Sequence, residues 1–231
     1  PPRGLPMPAA CLRTAPFRPC AAFLLAGLLF SIVHTGLDPA PAHAAGNADA
    51  RLAIHLLSPT TKNACGRTSA TPACAAIVTN GALYPALYYG YLLVTNADAA
   101  AGLAGVQCGI SYDGIAHSGV DIFTWNLCAT LEFRSGQWPA AGGGNLITWD
   151  STTRCQRTEP GGAGTGVVAP AGYFYMAAYT PDVLQLTTRP VDGVAKVADC
   201  ANAESVLEGG AVHHVPSVLG SASFSAGGGA A

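Results

Sequence analysis

Charge is scarce in this chain: Asp, Glu, Lys and Arg together make up 10% of its 231 residues. A coiled coil or helical bundle needs charged outer faces and few helix breakers. Here Gly (28) and Pro (17) account for almost one residue in five, which excludes both. A basic excess is also missing, with 11 Lys and Arg against 13 Asp and Glu, so the electrostatic footprint of a nucleic-acid binder is absent. Intrinsic disorder is excluded by the opposite property, since half of the chain is apolar and its net charge is only −2. No segment repeats another, which removes propellers and solenoids. The sequence also lacks GxSxG, HExxH, GxxxxGK[ST], a GxGxxG opening a helix and the DxDxDG calcium loop.

The N-terminus carries a recognisable pattern. Residues 21–33 read AAFLLAGLLFSIV, thirteen residues without charge or proline, preceded by Arg13 and Arg18 and followed by Ala42-His43-Ala44. Such a run is too short for a bilayer core, which takes about 20 residues. A basic start, a short apolar stretch and a small-x-small site describe a secretory signal peptide over residues 1–44, cleaved after Ala44. The competing reading is a buried core helix. Because the sequence begins at Pro1, a start at Met7 with upstream read-through fits the pattern. The chain from Ala45 holds eight Lys and Arg and twelve Asp and Glu, a net charge of −4, which argues against an anionic membrane or nucleic acid as partner.

Export changes the meaning of the cysteines. The leader removes Cys11 and Cys20 and leaves six: Cys65, Cys74, Cys108, Cys128, Cys155 and Cys200. An even number in an exported chain predicts three disulfides. Neighbour pairing across short Gly/Thr/Pro-rich loops gives Cys65–Cys74, Cys108–Cys128 and Cys155–Cys200. No CxxC pair occurs, nor a Cys with a His three to five residues away, so zinc is not expected.

Periodicity then points to strands. RLAIHLL (51–57) alternates, with Leu52, Ile54 and Leu56 on one face and Arg51 and His55 on the other. Residues 58–82 read as a clipped loop. Further strands are expected over 85–96, 103–114, 142–150, 172–179, 183–190, 194–200 and 218–225, with 121–133 as one long strand or two joined by a bend. The only helical candidate is ANAESVLE (201–208). The pattern predicts an all-β domain over 45–225, an immunoglobulin-like or jelly-roll sandwich with short helical turns, followed by a Gly/Ala tail over 226–231.

Chemistry-bearing residues are few. His213 and His214 are adjacent and would point to opposite faces of an extended segment. His117 stands near Asp113 and Asp121, where a Ser-His-Asp grouping is possible on paper. Asp98, Asp113, Asp121 and Asp150 fall at strand ends, as turn-capping aspartates do, and are also the residues calcium would use. Trp125, Trp138 and Trp149, alongside Tyr173, Tyr175 and Tyr179, form a set of aromatics that could stack on sugars or a protein partner from an exposed sheet face, or fill the core. Trp125 and Trp149 read as core. Trp138, followed by Pro139 in a loop, reads as the exposed aromatic for ligand contact.

The strings GVDIFTWNLC, GGGNLITWD, GYFYMAAYTPD, AKVADC and LGSASF resemble a group of secreted bacterial proteins defined by sequence rather than by an assigned activity. That resemblance spans about residues 51–225 and transfers no catalytic residue. LLVTNADAAAGLAGVQCGISYDG (92–114) and LGSASFSA resemble cohesin-like and related immunoglobulin-like sandwiches, which implies a module that binds through a surface. The expected function is a secreted, non-catalytic module, binding an extracellular protein or glycan or serving a structural role at the cell surface, without metal or cofactor. The alternative is a secreted hydrolase of a polysaccharide or other polymer, with Glu132 and Asp150 as its carboxylates.

Overall fold

A computed structural model describes residues 46–59, 64–214 and 217–229. The signal peptide expected over 1–44 and the end of the expected tail lie outside them. In chain order the strands are β1 (Arg51–Leu57), β2 (Asn80–Ala82), β3 (Tyr88–Ala97), β4 (Gly105–Ser111), β5 (Val120–Leu127) and β6 (Leu131–Ser135), then β7 (Gly144–Thr148), β8 (Val167–Ala178), β9 (Asp182–Thr187), β10 (Val194–Ala198), β11 (Glu204–Gly209) and β12 (Ser221–Ser225). The only helical pieces among the described residues are three single turns of 3-10 helix between residues 64 and 76.

The strands form two sheets that pack face to face. The smaller runs β1-β3-β8-β5 and is antiparallel throughout. In the larger, β4 is central. One of its edges pairs with β7, which carries β6. The other edge is shared: β10 takes Gly105–Gln107 and continues to β11, while β9 takes Gly109–Ser111 and continues to β12 and β2. Period-two alternation delivers Leu52, Ile54, Leu92, Val94, Phe174 and Met176 from the smaller sheet. They meet Val106, Ile110, Ile147, Leu184, Leu186 and Phe224 from the larger one. At about 25 cal/mol per Å² of buried apolar surface, this layer supplies most of the driving force.

β1 is buried on both faces, contrary to the half-buried reading. A second, smaller core explains this. Residues 64–78 fold over the outer face of the smaller sheet and bury Ala53, Tyr91, Leu93 and Tyr173 against Ala64, Ala70 and Ile77. His55 ties the cover down. Its Nδ1 accepts the Val78 N–H at 3.0 Å, so the proton sits on Nε2, which donates to the Ser69 carbonyl at 3.2 Å. Burial holds its pKa below the usual histidine value, against the opposing effect of the two backbone hydrogen bonds. The neutral ring's contribution is therefore present above the ordinary histidine range and is lost as pH falls through the lowered pKa. The thermal midpoint should fall as pH is taken from about 7 to about 5, and a His55→Gln variant should lose part of that dependence. Equal pH slopes in both proteins would contradict the clasp.

Two local expectations are corrected, and the choice left open over 121–133 is resolved. Residues 201–208 do not form a helix: Asp199 Oδ1 accepts the N–H groups of Ala201 and Ala203, closing a turn that folds β11 back on β10 with Leu207 in the core. Two helical turns cannot match that ladder. Residues 121–133 are two strands in different sheets, and the chain changes layer within Cys128-Ala129-Thr130. The disulfides also differ. Cys155–Cys200 forms as expected, but Cys65 bonds Cys128, because the cover carries Cys65 across the sheet to the end of β5. Cys65–Cys74 and Cys108–Cys128 are therefore not formed. Cys108 alternates inward on β4 between Val106 and Ile110, a free buried thiol whose pKa burial raises to about 12.

Candidate functional site

Trp138, expected at the surface, is 5% exposed. It meets Trp125 edge-on with ring centroids 5.1 Å apart and lies 5.5 Å from Phe174. The β6–β7 loop folds inward, so proximity to Pro139 does not mean exposure. Trp125 and Trp149 belong to the core as read. Beside this cluster stands Glu132, the hub between the layers. It accepts hydrogen bonds from Trp125 Nε1 of the smaller sheet at 2.9 Å, from Asn145 Nδ2 at 2.7 Å and from Arg134 Nε at 2.9 Å. Burial alone would raise its pKa, but the three hydrogen-bonded groups together outweigh it and leave the carboxyl below its ordinary value. Asp150 is exposed. Hydrogen bonds from the Thr153 N–H and hydroxyl, and from the Thr152 N–H, lower its pKa as well. Glu132 is thus a structural anion and Asp150 a turn cap. Neither is the raised-pKa acid that glycoside hydrolysis requires.

The remaining polar candidates are also held locally. Ser118 donates to Asp113 Oδ2 at 2.9 Å, while His117 faces Asp121 at 3.7 Å, so serine, histidine and carboxylate do not form a relay. Asp98 caps the turn at Ala100 and Ala101. His213 pairs with Glu208, which also accepts the His214 N–H. Among the described residues, no three His, Cys, Asp or Glu side chains converge as metal ligands would.

The outer face of the larger sheet is built differently. Alternation that sends Val106, Cys108 and Ile110 inward leaves Gly105, Gln107 and Gly109 outward on β4, a floor with little side-chain bulk. Above it lies an open groove of about 360 Å³, lined by Gly105, Gln107, Leu146, Thr148 and Ala198 and walled by the Lys196–Glu204 ion pair. A flap closes one end. Between β9 and β10, residues 188–193 leave the ladder and cross the sheet, with Gln107 donating to Asp192 at 2.8 Å and Arg189 to Ser135 Oγ at 3.2 Å. Two glycines make room for it. A Cβ at Gly109 would lie 2.5 Å from the Thr188 carbonyl, and one at Gly144 would lie 2.8 Å from Arg189 and Pro190.

Apolar side chains border this face. Of the eight large hydrophobic residues exposed among the described residues, Leu131, Phe133, Val183 and Val206 lie on strands of this sheet and Val191 on the flap. None was singled out from the sequence. The available signal was the alternation in LEFRS, which puts Leu131 and Phe133 on the side opposite the inward-facing Glu132. Recognising its meaning required knowing that β6 belongs to another sheet than β5.

No family model matches the chain, and no curated protein matches it. Among solved structures, the cohesin module from the family 33 glycoside hydrolase of Clostridium perfringens is similar. The identity is 9%, the match covers 76% of this chain and 96% of the module, and the TM-score is 0.41.

Proposed function

We propose that the protein is a secreted, non-catalytic module that docks a protein partner on the outer face of its larger sheet. The observation that carries this reading is the concentration of exposed Leu131, Phe133, Val191 and Val206 around a groove with a Gly/Ala floor. An apolar border around a low floor suits a polypeptide surface, and exposed apolar patches of this kind mark interaction sites. Disulfides and an all-β fold suit an oxidising, extracellular setting. No helix among the described residues is long and apolar enough to cross a membrane. A glycan partner is the other binding outcome. The depressed pKa values of Glu132 and Asp150 weigh against the hydrolase.

The test places bulk and charge in the groove without touching the core. The immobilised wild-type domain, retaining proteins or glycans from the extracellular fraction of its source, should lose that retention in an Ala198→Arg/Leu146→Glu variant that melts within about 2 °C of wild type. At least tenfold weaker binding is expected, on the order of 1.4 kcal/mol. Undiminished retention would move the site elsewhere. Polymer turnover by wild type that Glu132→Gln abolishes would establish the hydrolase instead.

A further inference from the structure

A second concavity shares Trp149 with that groove, but its chemistry is distinct. It is about 370 Å³ in volume and is lined by residues 65–68, Thr71, Cys128, Trp149, Arg154, Gln156 and Pro170. Two of the chain's few cations, Arg67 and Arg154, meet it, and no carboxylate side chain lines it. In a chain with excess negative charge, this pocket is locally cationic. Neither guanidinium forms an ion pair with a described residue, although Arg134, Arg189 and Lys196 all do.

Arg67 supplies the sharper observation. Its positive charge acts on the nearby Tyr91 hydroxyl, which itself donates to the Ala64 carbonyl at 3.2 Å. The guanidinium Nη1 is shut off from solvent and has no hydrogen-bond partner. Arg67 as a whole is partly exposed and lines the pocket, so the rest of its guanidinium is open to an anionic partner there, with no carboxylate opposite it. The frame around it is stiff. Cys65–Cys128 anchors the segment bearing Arg67, and Cys155–Cys200 anchors the one bearing Arg154. Both described disulfides thus hold arginine-bearing walls, which is preorganisation where a binding site needs it.

We infer that this pocket binds an oxyanion, with Arg67 and Arg154 as the charge partners and the Thr68 and Gln156 side chains as neutral hydrogen-bonding groups. Guanidinium is the side chain whose planar fork matches carboxylate, sulfate and phosphate oxygens. A free inorganic ion and the acidic group of a saccharide present the same chemistry, so the probes must separate them.

Trp149 lines the pocket and serves as an intrinsic reporter. The oxidised full domain is titrated with sodium sulfate, sodium phosphate and sodium galacturonate at ionic strength balanced with chloride. Tryptophan emission and the melting temperature are recorded together. At least one probe should give a saturable emission change and a raised melting temperature, which chloride alone does not produce. Arg154→Gln changes an exposed side chain and should leave the fold intact while weakening that probe about tenfold. Arg67→Gln should do the same, and Arg67→Lys should not restore full affinity. Galacturonate binding more tightly than both inorganic ions would identify an acidic saccharide as the source of the group. The reverse order would identify a free ion. Absence of a saturable response to all three probes, or a response unchanged in Arg154→Gln, would overturn the inference.

Discussion

Replacing Trp138 by alanine is expected to lower the free energy of unfolding by about 3–5 kcal/mol, the range for truncating a buried aromatic side chain. The residue packs edge-on against Trp125 and touches Phe174, and both are themselves core residues. Its indole Nε1 is buried without a partner, so the ring contributes as an apolar plate and not as a donor. Trp138→Phe removes that unsatisfied N–H while keeping most of the contact. It should therefore cost much less than the alanine variant, within about 1.5 kcal/mol of wild type. Denaturant titration followed by far-UV circular dichroism separates the two. An alanine variant as stable as wild type would return Trp138 to the surface role that its loop position suggests.

The Cys65→Ser/Cys128→Ser variant is expected to lose about 4 kcal/mol, from the chain entropy of a cross-link spanning 63 residues. The loss should have a local signature. Without the bridge, the contacts that still hold the cover over Tyr91 and Tyr173 include His55, the Tyr91–Ala64 hydrogen bond and its small apolar core. Amide exchange should rise first in residues 64–78 and in β1, while the β4–β7 ladder keeps its protection until global unfolding. Uniform loss of protection across both sheets would show that the cover and the sandwich are one cooperative unit.

How far the sequence reveals this architecture depends on how local the determining interaction is. β1 is legible because Leu52, Ile54 and Leu56 alternate with other residues within seven positions. Trp125 and Trp149 are legible as core because one lies on β5 and the other directly follows β7, each within a run rich in strand-forming residues. Cys155–Cys200 follows from neighbour pairing because the connecting strands turn back on themselves. Cys65–Cys128 does not, because it depends on a long segment folding across a sheet that residue patterns do not position. β11 reads as a helix because Ala, Glu and Leu favour helices, and only the ladder with β10 outweighs that preference. The groove is the least legible feature. Its floor is a set of glycines and alanines, its walls come from β4, β7, β10 and β11, and the flap rests on Gly109 and Gly144, which look like ordinary turn formers in the sequence.

The most direct measurement of docking on the outer face of the larger sheet uses a photo-activated side chain placed at Thr148 in the groove. A second protein carries the same group at Thr124, exposed on β5 of the smaller sheet. Both are irradiated in the extracellular fraction of the source organism, and the adducts are resolved by mass spectrometry. The account predicts a discrete protein adduct at position 148 that unlabelled wild-type domain competes away and the Ala198→Arg/Leu146→Glu domain does not. An adduct at position 124 alone, or one at 148 that the groove variant competes away equally well, would contradict it.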